Sequence, residues 1–126
     1  MDDSQRFERG LAIRKEVLGT DYVEASMRGA DEFTRDMQQL VTEYAWGEIW
    51  SRPGLSRRDR SLLNLAMITA LNRPHELRLH VRGALTNGLS KDEIKEVFLQ
   101  TAVYCGAPAA LDSFRVAREV FAEMGV

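Results

Sequence analysis

The chain has 126 residues, of which 44% are hydrophobic and 29% are charged, a composition typical of a soluble globular protein rather than a disordered one. Its length suits a single domain, residues 1–126, that buries roughly two-thirds of its unfolded surface. The net charge of −2 lacks the basic excess of nucleic-acid-binding proteins, and no apolar run reaches the roughly 18 to 20 residues of a membrane span. We therefore expect neither a nucleic-acid partner nor a membrane association.

The first half of the chain shows helical rather than strand-like periodicity. Residues 2–4 supply a cap for a first helix, and Gly19 ends it. Residues 21–30 are expected to form a loop or a short helical turn. A second long helix is predicted from about Asp31 to the region of residues 46–50. Its inner face is expected to carry five apolar or aromatic side chains, namely Phe33, Met37, Leu40, Val41 and Tyr44.

The middle of the chain begins with a turn at residues 52–54, Arg-Pro-Gly. Ser56, with Asp59 three residues later, indicates the start of a third helix. Residues 62–71 of that helix are apolar on nearly all sides, so we expect burial inside the domain or between subunits. Pro74 then suits the first turn of another helix.

The last part of the chain continues the same pattern. Asn87 and Gly88 end the helix that Pro74 begins, and Ser90 with Glu93 forms a capping box for the next one. Residues 106–108, Gly-Ala-Pro, break the chain before a final helix that runs to about residue 124. The sequence therefore predicts an all-α protein of about six helices, with no linker between them.

Two side chains on the helix after Pro74 could support chemistry. Glu76 and His80 are four residues apart, so both project from one helix face and join a carboxylate to a side chain that titrates near neutrality. His75 is the other histidine and points to a different side. By spacing alone, Glu76 and His80 could equally be a surface pair. We expect no metal site, because the sequence offers no third ligand beside them.

The single cysteine, Cys105, cannot form an internal disulfide, a Cys-x-x-Cys redox pair or a structural zinc site. It follows an apolar run, so we expect a small buried side chain. The first six residues are polar and acidic rather than apolar as in a signal peptide, and with these features we expect a cytoplasmic protein.

Four arginines lie close to the predicted start of the third helix, at positions 52, 57, 58 and 60. Cations there oppose the helix macrodipole, whose positive end is the N-terminus. They could be solvated or paired with acids of a neighbouring subunit. They could also form an anion site, since guanidinium groups match carboxylates and a helix N-terminus adds N–H donors.

Three aromatic residues allow two interpretations each. Trp46 and Trp50 are four apart and could share a face in the core or a subunit interface. Tyr104 could be a core residue or a hydrogen-bond donor in a pocket.

The order and spacing of five segments resemble the carboxymuconolactone decarboxylase family over roughly residues 5–124. The segments are residues 50–55 (WSRPGL), 60–62 (RSL), 76–80 (ELRLH), 88–94 (GLSKDEI) and 104–110 (YCGAPAA). Peroxidase relatives carry a Cys-x-x-Cys pair upstream of the matching histidine, whereas residues 73–76 here are Arg-Pro-His-Glu. Because thiol-peroxidase chemistry needs a thiolate nucleophile, we do not expect that activity.

The resemblance implies an alkylhydroperoxidase-like helical fold, assembled as a homo-oligomer, either a hexamer built as a trimer of dimers or a trimer. It also implies decarboxylation of 4-carboxymuconolactone, a small lactone with two carboxylates, to β-ketoadipate enol-lactone in the protocatechuate branch of aromatic catabolism. The lactone accepts the electron pair that CO2 leaves behind, so no cofactor is expected. The alternatives are a family member that acts on another lactone or keto acid, and a helical protein that only oligomerises.

The chemistry that the resemblance implies assigns a role to seven residues. His80 or a protonated Glu76 supplies a proton, and His80 also donates a hydrogen bond at the lactone carbonyl. Arg60, with Arg57 or Arg58 in reserve, binds the carboxylate that stays. Two aromatic residues complete the expected site, Trp50 beside the leaving carboxylate and Tyr104 as a second donor.

Overall fold

A computed structural model describes residues 2–126, and in that range the regular structure is entirely helical. It comprises seven α-helices and one π-helical segment: α1 (Asp3–Leu18), α2 (Thr20–Arg28), α3 (Arg35–Leu40), the π-helical segment (Val41–Ile49), α4 (Arg57–Ala70), α5 (Pro74–Thr86), α6 (Lys91–Cys105) and α7 (Ala107–Met124). The prediction of an all-α protein is confirmed. The chain divides into two compact units, Met1–Leu55 and Ser56–Val126, and the single domain stays a prediction.

Local signals at both ends of α1 determine its length. The Asp2 carboxylate accepts a hydrogen bond from the Gln5 N–H at 2.8 Å, and the Gln5 side chain accepts one from the Asp2 N–H at 3.0 Å. This reciprocal pair satisfies two N–H groups that a helix start leaves unbonded. At the other end Gly19 takes a φ of 98°, which side chains rarely adopt, and the helix stops as predicted.

Residues 21–30, expected to form a loop or a short helical turn, lie mostly in a regular helix. After Gly19 the chain turns directly into α2, which is nine residues long and has Asp21 in its first turn. An acid there interacts favourably with the positive end of the helix dipole. Val23 is fully buried and Met27, one turn later, is half-buried, so α2 has the apolar face that the sequence prediction missed.

The predicted inner face of the second helix was wrong at four of its five positions, whereas Val41 is half-buried and packs against the Trp46 and Trp50 cluster. The four side chains Phe33, Met37, Leu40 and Tyr44 are exposed, Phe33 to 93%. The opposite side is buried instead, through Thr42, Glu43, Trp46 and Gly47. The backbone explains part of the difference. After α3 it widens into a π-helix with i to i−5 hydrogen bonds, such as Trp50 N–H to the Ala45 carbonyl at 3.0 Å. A periodicity of 3.6 residues then no longer predicts which side faces inward.

The first unit has a small aromatic core and a very close backbone contact. Trp46 and Trp50 stack with ring centroids 4.8 Å apart and pack with Ile13 and Val17. Beside them α1 approaches the π-helical segment through glycine: a Cβ on Gly10 would overlap the Thr42 carbonyl oxygen and lie 2.7 Å from the Gly47 nitrogen. The packing of α1 on the π-helical segment therefore requires glycine at position 10.

The second unit consists of α4 to α7 around one apolar core. Ser56 caps α4 by accepting from the Asp59 N–H, and Ser90 with Glu93 forms a capping box at α6, both as predicted. Pro74 lies in the first turn of α5, and Gly88, with φ of 97°, follows its end. The fully buried core side chains come from all four helices and include Leu65, Leu77, Val81, Ile94, Phe98 and Val120.

Helix α4 is buried on one side only within the chain. Leu65 is fully buried, whereas Leu63, Met67 and Leu71 are about half exposed or more. The apolar run predicted to be buried on most sides therefore leaves a face uncovered. Across residues 2–126, no helix combines the length and the hydropathy that crossing a bilayer requires.

We expect Gly10→Ala to destabilise the first unit by about 2 kcal/mol or more, because the new methyl group overlaps the Thr42 carbonyl and the helices must separate. Both tryptophans lie in this unit, so tryptophan fluorescence during urea unfolding measures the effect. Gly54→Ala is the matched control, since a Cβ there meets no atom within 4 Å. Equal stability of the two variants would contradict the close approach.

Candidate active site

Helix α5 carries Glu76 and His80, the two predicted catalytic residues. Leu77, Val81 and Ala84 form its buried stripe. His80 lies three residues after Leu77 and four before Ala84, so it borders this stripe and is half-buried. Glu76 is one turn earlier and exposed. The helix therefore places a solvated carboxylate next to a partly desolvated imidazole.

The surroundings of His80 control its protonation. Burial lowers the pKa of His80 below its ordinary value of 6.5, and the charge of the nearby Glu76 carboxylate opposes that shift to a smaller extent. The imidazole is therefore neutral at pH 7. A neutral imidazole has one N–H donor and one acceptor nitrogen, so His80 can either donate a hydrogen bond or accept a proton. His75, by contrast, is exposed on the first turn of α5.

Ion pairs with acids are seen at the clustered arginines. Arg58 forms an ion pair with the Glu93 carboxylate, and Arg52 lies 3.8 Å from Glu48. Glu93 had a predicted role only as a helix cap. One Glu93 oxygen accepts the capping hydrogen bond from the Ser90 N–H, and the other binds Arg58. Because Arg58 is 35 positions away in the sequence, no local pattern predicts this ion pair. Of the other two predicted carboxylate binders, Arg60 is half-buried on the first turns of α4 and Arg57 is exposed.

The structure separates Arg60 from His80 along the helix axes. The Asn87 amide donates to the Ser61 hydroxyl at 2.9 Å, so these two residues lie at the same level of the packed pair α4 and α5. His80 precedes Asn87 by seven residues, which is about 10 Å of helix. Arg60, adjacent to Ser61, therefore lies about two helical turns from His80 along the axis. Simultaneous contact with a small substrate needs the full length of the arginine side chain.

Tyr104 and Cys105 lie in the last turn of α6 and are both exposed, Tyr104 to 81%. They line a shallow cavity of about 380 Å³ whose other wall includes Leu62 and Ala66 of α4. The prediction that Cys105 is buried was wrong. It does continue the spacing of the buried residues Phe98 and Thr101, but α6 ends at Gly106, beyond the core. The role of Tyr104 as a donor stays a prediction.

Trp50 belongs to the first unit, whereas the other predicted site residues belong to the second. It is 7% exposed and stacked on Trp46, as expected for the packing interpretation. Its predicted contact with a leaving carboxylate stays a prediction.

One buried cation was not singled out as a site residue from the sequence. Arg14 is only 6% exposed, and its Nη1 donates to the Gln38 side-chain oxygen at 3.0 Å and to the Thr42 hydroxyl at 3.3 Å. The signal was present, since Arg14 falls on the apolar face of α1 between Gly10 and Val17. These contacts join α1 to α3 and the π-helical segment. Among residues 2–126, no three His, Cys, Asp or Glu side chains are grouped as metal ligands.

Comparison with known proteins gives a consistent result. The model of the carboxymuconolactone decarboxylase family matches residues 35–119. A 4-carboxymuconolactone decarboxylase of Acinetobacter baylyi is 44% identical over 126 residues, which cover 100% of this chain and 94% of that protein. A nitrosuccinic acid decarboxylase of Metarhizium robertsii is 47% identical over 118 residues, which cover 94% of this chain and 82% of that protein. An uncharacterised 15.0 kDa protein of Paracoccus denitrificans is 34% identical over 100 residues, 77% of this chain and 74% of its own length.

We expect the His80 imidazole to titrate below pH 6.5 in an NMR pH titration. Glu76→Gln lowers the pKa of His80 further, because it removes the negative charge that favours the imidazolium. The unfolded chain binds this proton more readily than the folded chain, so the free energy of unfolding falls as pH drops from about 6.5 towards the folded pKa. An unchanged or raised His80 pKa in the Glu76→Gln variant would show that the two side chains are not coupled.

Proposed function

The chain belongs to the carboxymuconolactone decarboxylase family, and on that premise we propose that it is a carboxy-lyase that converts 4-carboxymuconolactone to β-ketoadipate enol-lactone and CO2 in aromatic catabolism. The observation that carries the proposal is the similarity along the entire chain to a relative with this activity. The half-buried, neutral imidazole on α5 supplies a chemical group that suits the reaction.

The reaction requires the protein to manage one electron pair and one proton. As the C–C bond to the leaving carboxylate breaks, its electron pair moves into the conjugated lactone and negative charge grows on the carbonyl oxygen. A hydrogen-bond donor placed there stabilises the transition state more than the substrate. His80 fits this role, since its N–H donates from a partly desolvated position while the exposed Glu76 remains in contact with water. The imidazolium form of His80 or a protonated Glu76 then gives its proton to the dienolate carbon, which yields the enol-lactone, and solvent returns the proton to that side chain.

Arg60 is our leading candidate for binding the carboxylate that remains, with Arg57 in reserve. A half-buried guanidinium forms a stronger fork with a carboxylate than a fully solvated one, which favours Arg60. Arg58, the other arginine in reserve, forms an ion pair with Glu93. The separation of about 10 Å along the helix axis requires Arg60 to extend towards His80. The roles proposed for Tyr104, a second donor, and for Trp50, an apolar neighbour of the leaving carboxylate, rest on the family resemblance.

A second candidate substrate follows from the relative that acts on nitrosuccinic acid. Nitrosuccinic acid, like the lactone, is a dicarboxylic acid in which the lost carboxylate is attached to a carbon next to an electron-withdrawing group. Loss of CO2 there moves the electron pair into the nitro group and gives a nitronate, so this substrate also serves as its own electron acceptor. Both candidates need a donor at the developing oxyanion and a cation for the other carboxylate.

The proposal includes three further properties. No cofactor takes part, because either substrate can hold the electron pair itself. The protein assembles as a homo-oligomer, hexamer or trimer, and the exposed apolar face of α4 formed by Leu63, Met67 and Leu71 gives such an assembly a surface to bury. The expected location is the cytoplasm.

The test supplies the purified chain with enzymatically prepared 4-carboxymuconolactone and, separately, with nitrosuccinate, and it measures substrate loss and CO2. We expect kcat/KM to be higher for the lactone. His80→Ala lowers kcat by about 10²- to 10³-fold through loss of the oxyanion donor. His75→Ala is the matched control on the same helix and retains activity, since His75 is exposed and has no assigned role.

Chelation should leave the rate unchanged. Full activity of His80→Ala would remove His80 from the mechanism, and loss of activity with a chelator would contradict a metal-free reaction. A higher kcat/KM for nitrosuccinate than for the lactone would make nitrosuccinate the proposed substrate. If neither compound is turned over, the chain is a family member that acts on another substrate or has no catalytic activity.

A further inference from the structure

A groove between α6 and α7 lies apart from the residues assigned to decarboxylation. Its volume is about 570 Å³, within the range of roughly 300 to 1,000 Å³ found for small-molecule sites. The floor is aromatic and aliphatic, and it includes Phe98, Phe114 and Phe121. Phe98 and Phe114 meet edge to face with centroids 5.3 Å apart, so the ring positions are fixed by packing.

The walls of this groove are basic. Lys91 and Lys95 project from α6, and Arg115 and Arg118 from α7, while Asp92 is the one acid among the lining residues described. Two of the cations have acid neighbours: Lys95 is 3.8 Å from Asp92 and Arg115 is 2.6 Å from Asp112.

The other two cations, Lys91 and Arg118, have no carboxylate within ion-pair distance in the part of the chain that the structure describes, residues 2–126. Lys91 instead lies over the Phe121 ring, 5.0 Å from its centroid. The groove therefore has positive charge that no acid of the described chain neutralises.

The two cations lie on opposite walls at neighbouring levels. Helices α6 and α7 run antiparallel, with Phe98 opposite Phe114 and Lys91 opposite Phe121. Arg118, one turn before Phe121, is therefore about 5 Å along the axis from the level of Lys91. A carboxylate above the phenylalanine floor can receive hydrogen bonds from both sides, while an apolar ring attached to it covers the floor.

We propose that this groove binds an amphipathic carboxylate, an aromatic ring on a short chain that ends in a carboxylate group, at a site separate from the decarboxylation site. The inference rests on a defined cavity, a rigid aromatic floor and the two cations Lys91 and Arg118. None of the residues involved has a part in the proposed reaction. The site is therefore suited to an effector or a storage ligand rather than to the reacting lactone.

The probe is 3-phenylpropionate, and 3-phenylpropionamide is its uncharged control. Titration of the full chain is followed by methyl 1H–13C NMR, in which Ile94 and Leu111 report on the groove. We expect saturable shifts at these methyl groups with a dissociation constant of about 1 mM or below, and about tenfold weaker binding of the amide.

Lys91→Gln and Arg118→Gln should each weaken carboxylate binding by about three- to tenfold, because each removes one charge-assisted hydrogen bond. Arg28→Gln is the matched control, since it makes the same change of charge at an exposed position of α2 outside the groove. His80→Ala should bind the probe as the unaltered chain does, whatever becomes of its decarboxylase activity.

Four results would each overturn the proposal. They are the absence of saturable shifts, equal affinity for acid and amide, unchanged affinity in both groove variants, and loss of binding in His80→Ala. The last result would assign the probe to the decarboxylation site. Because binding is read at the groove and not through turnover, failure here and failure of the proposed reaction can be told apart.

Discussion

Leu77, Val81 and Ala84 form a single buried stripe along α5, and this stripe packs into the core that α4, α6 and α7 provide. The stripe determines the rotation of α5 about its axis, because turning the helix would move three fully buried side chains into water at about 1.5 to 3 kcal/mol for each large one. Once the rotation is set, His80 must lie at the edge of the core and Glu76 must face solvent. Burial that results from this packing is thus the main cause of the lowered pKa of His80, and the Glu76 charge opposes it.

A second constraint supports the same helix from its outer side. Arg78, which follows Leu77, forms ion pairs with both Glu119 and Glu123 of α7, at 2.7 Å in the case of Glu123. These groups are partly exposed, so each pair contributes little to the free energy of unfolding. The ion pairs nevertheless restrict the position of α5, since a guanidinium bound by two carboxylates limits sliding of α5 along α7. Core packing and this surface network therefore favour the same position of the helix that carries Glu76 and His80.

The parts of the fold that were predictable from the sequence depend on neighbours in the chain. Asp2 with Gln5, and Ser90 with Glu93, cap their helices through bonds that span three residues, and such signals are legible locally. The π-helical segment was not predictable in this way. It shifts the buried side of the chain to Thr42 and Trp46, and it depends on the contact of Gly10 with that segment from 32 positions away.

The candidate site likewise has some features that depend on neighbours in the chain and others that depend on tertiary packing. The spacing of Glu76 and His80 follows from helix geometry and was predictable, whereas the desolvation that lowers the pKa of His80 arises from packing against other helices. The pairing of Arg58 with Glu93 and the separation of Arg60 from His80 are likewise tertiary features. The sequence positions of the arginines alone did not indicate that Arg58 forms an ion pair with Glu93.

The low pKa of His80 has a consequence for catalysis on a substrate with two negative charges. An imidazolium would attract the substrate's carboxylates before and during the reaction, and attraction that is equal in both states does not raise kcat. A neutral imidazole attracts them weakly, yet its N–H dipole interacts strongly with the oxygen on which charge develops. In the proposed mechanism, a neutral N–H directed at the carbonyl therefore acts mainly on the oxygen that gains charge. The arginine proposed to bind the remaining carboxylate attracts the substrate anion, and its charge persists at every relevant pH. This division of labour suits a dienolate and a nitronate equally, so discrimination between the two candidate substrates must come from the shape of the pocket around the ring or chain.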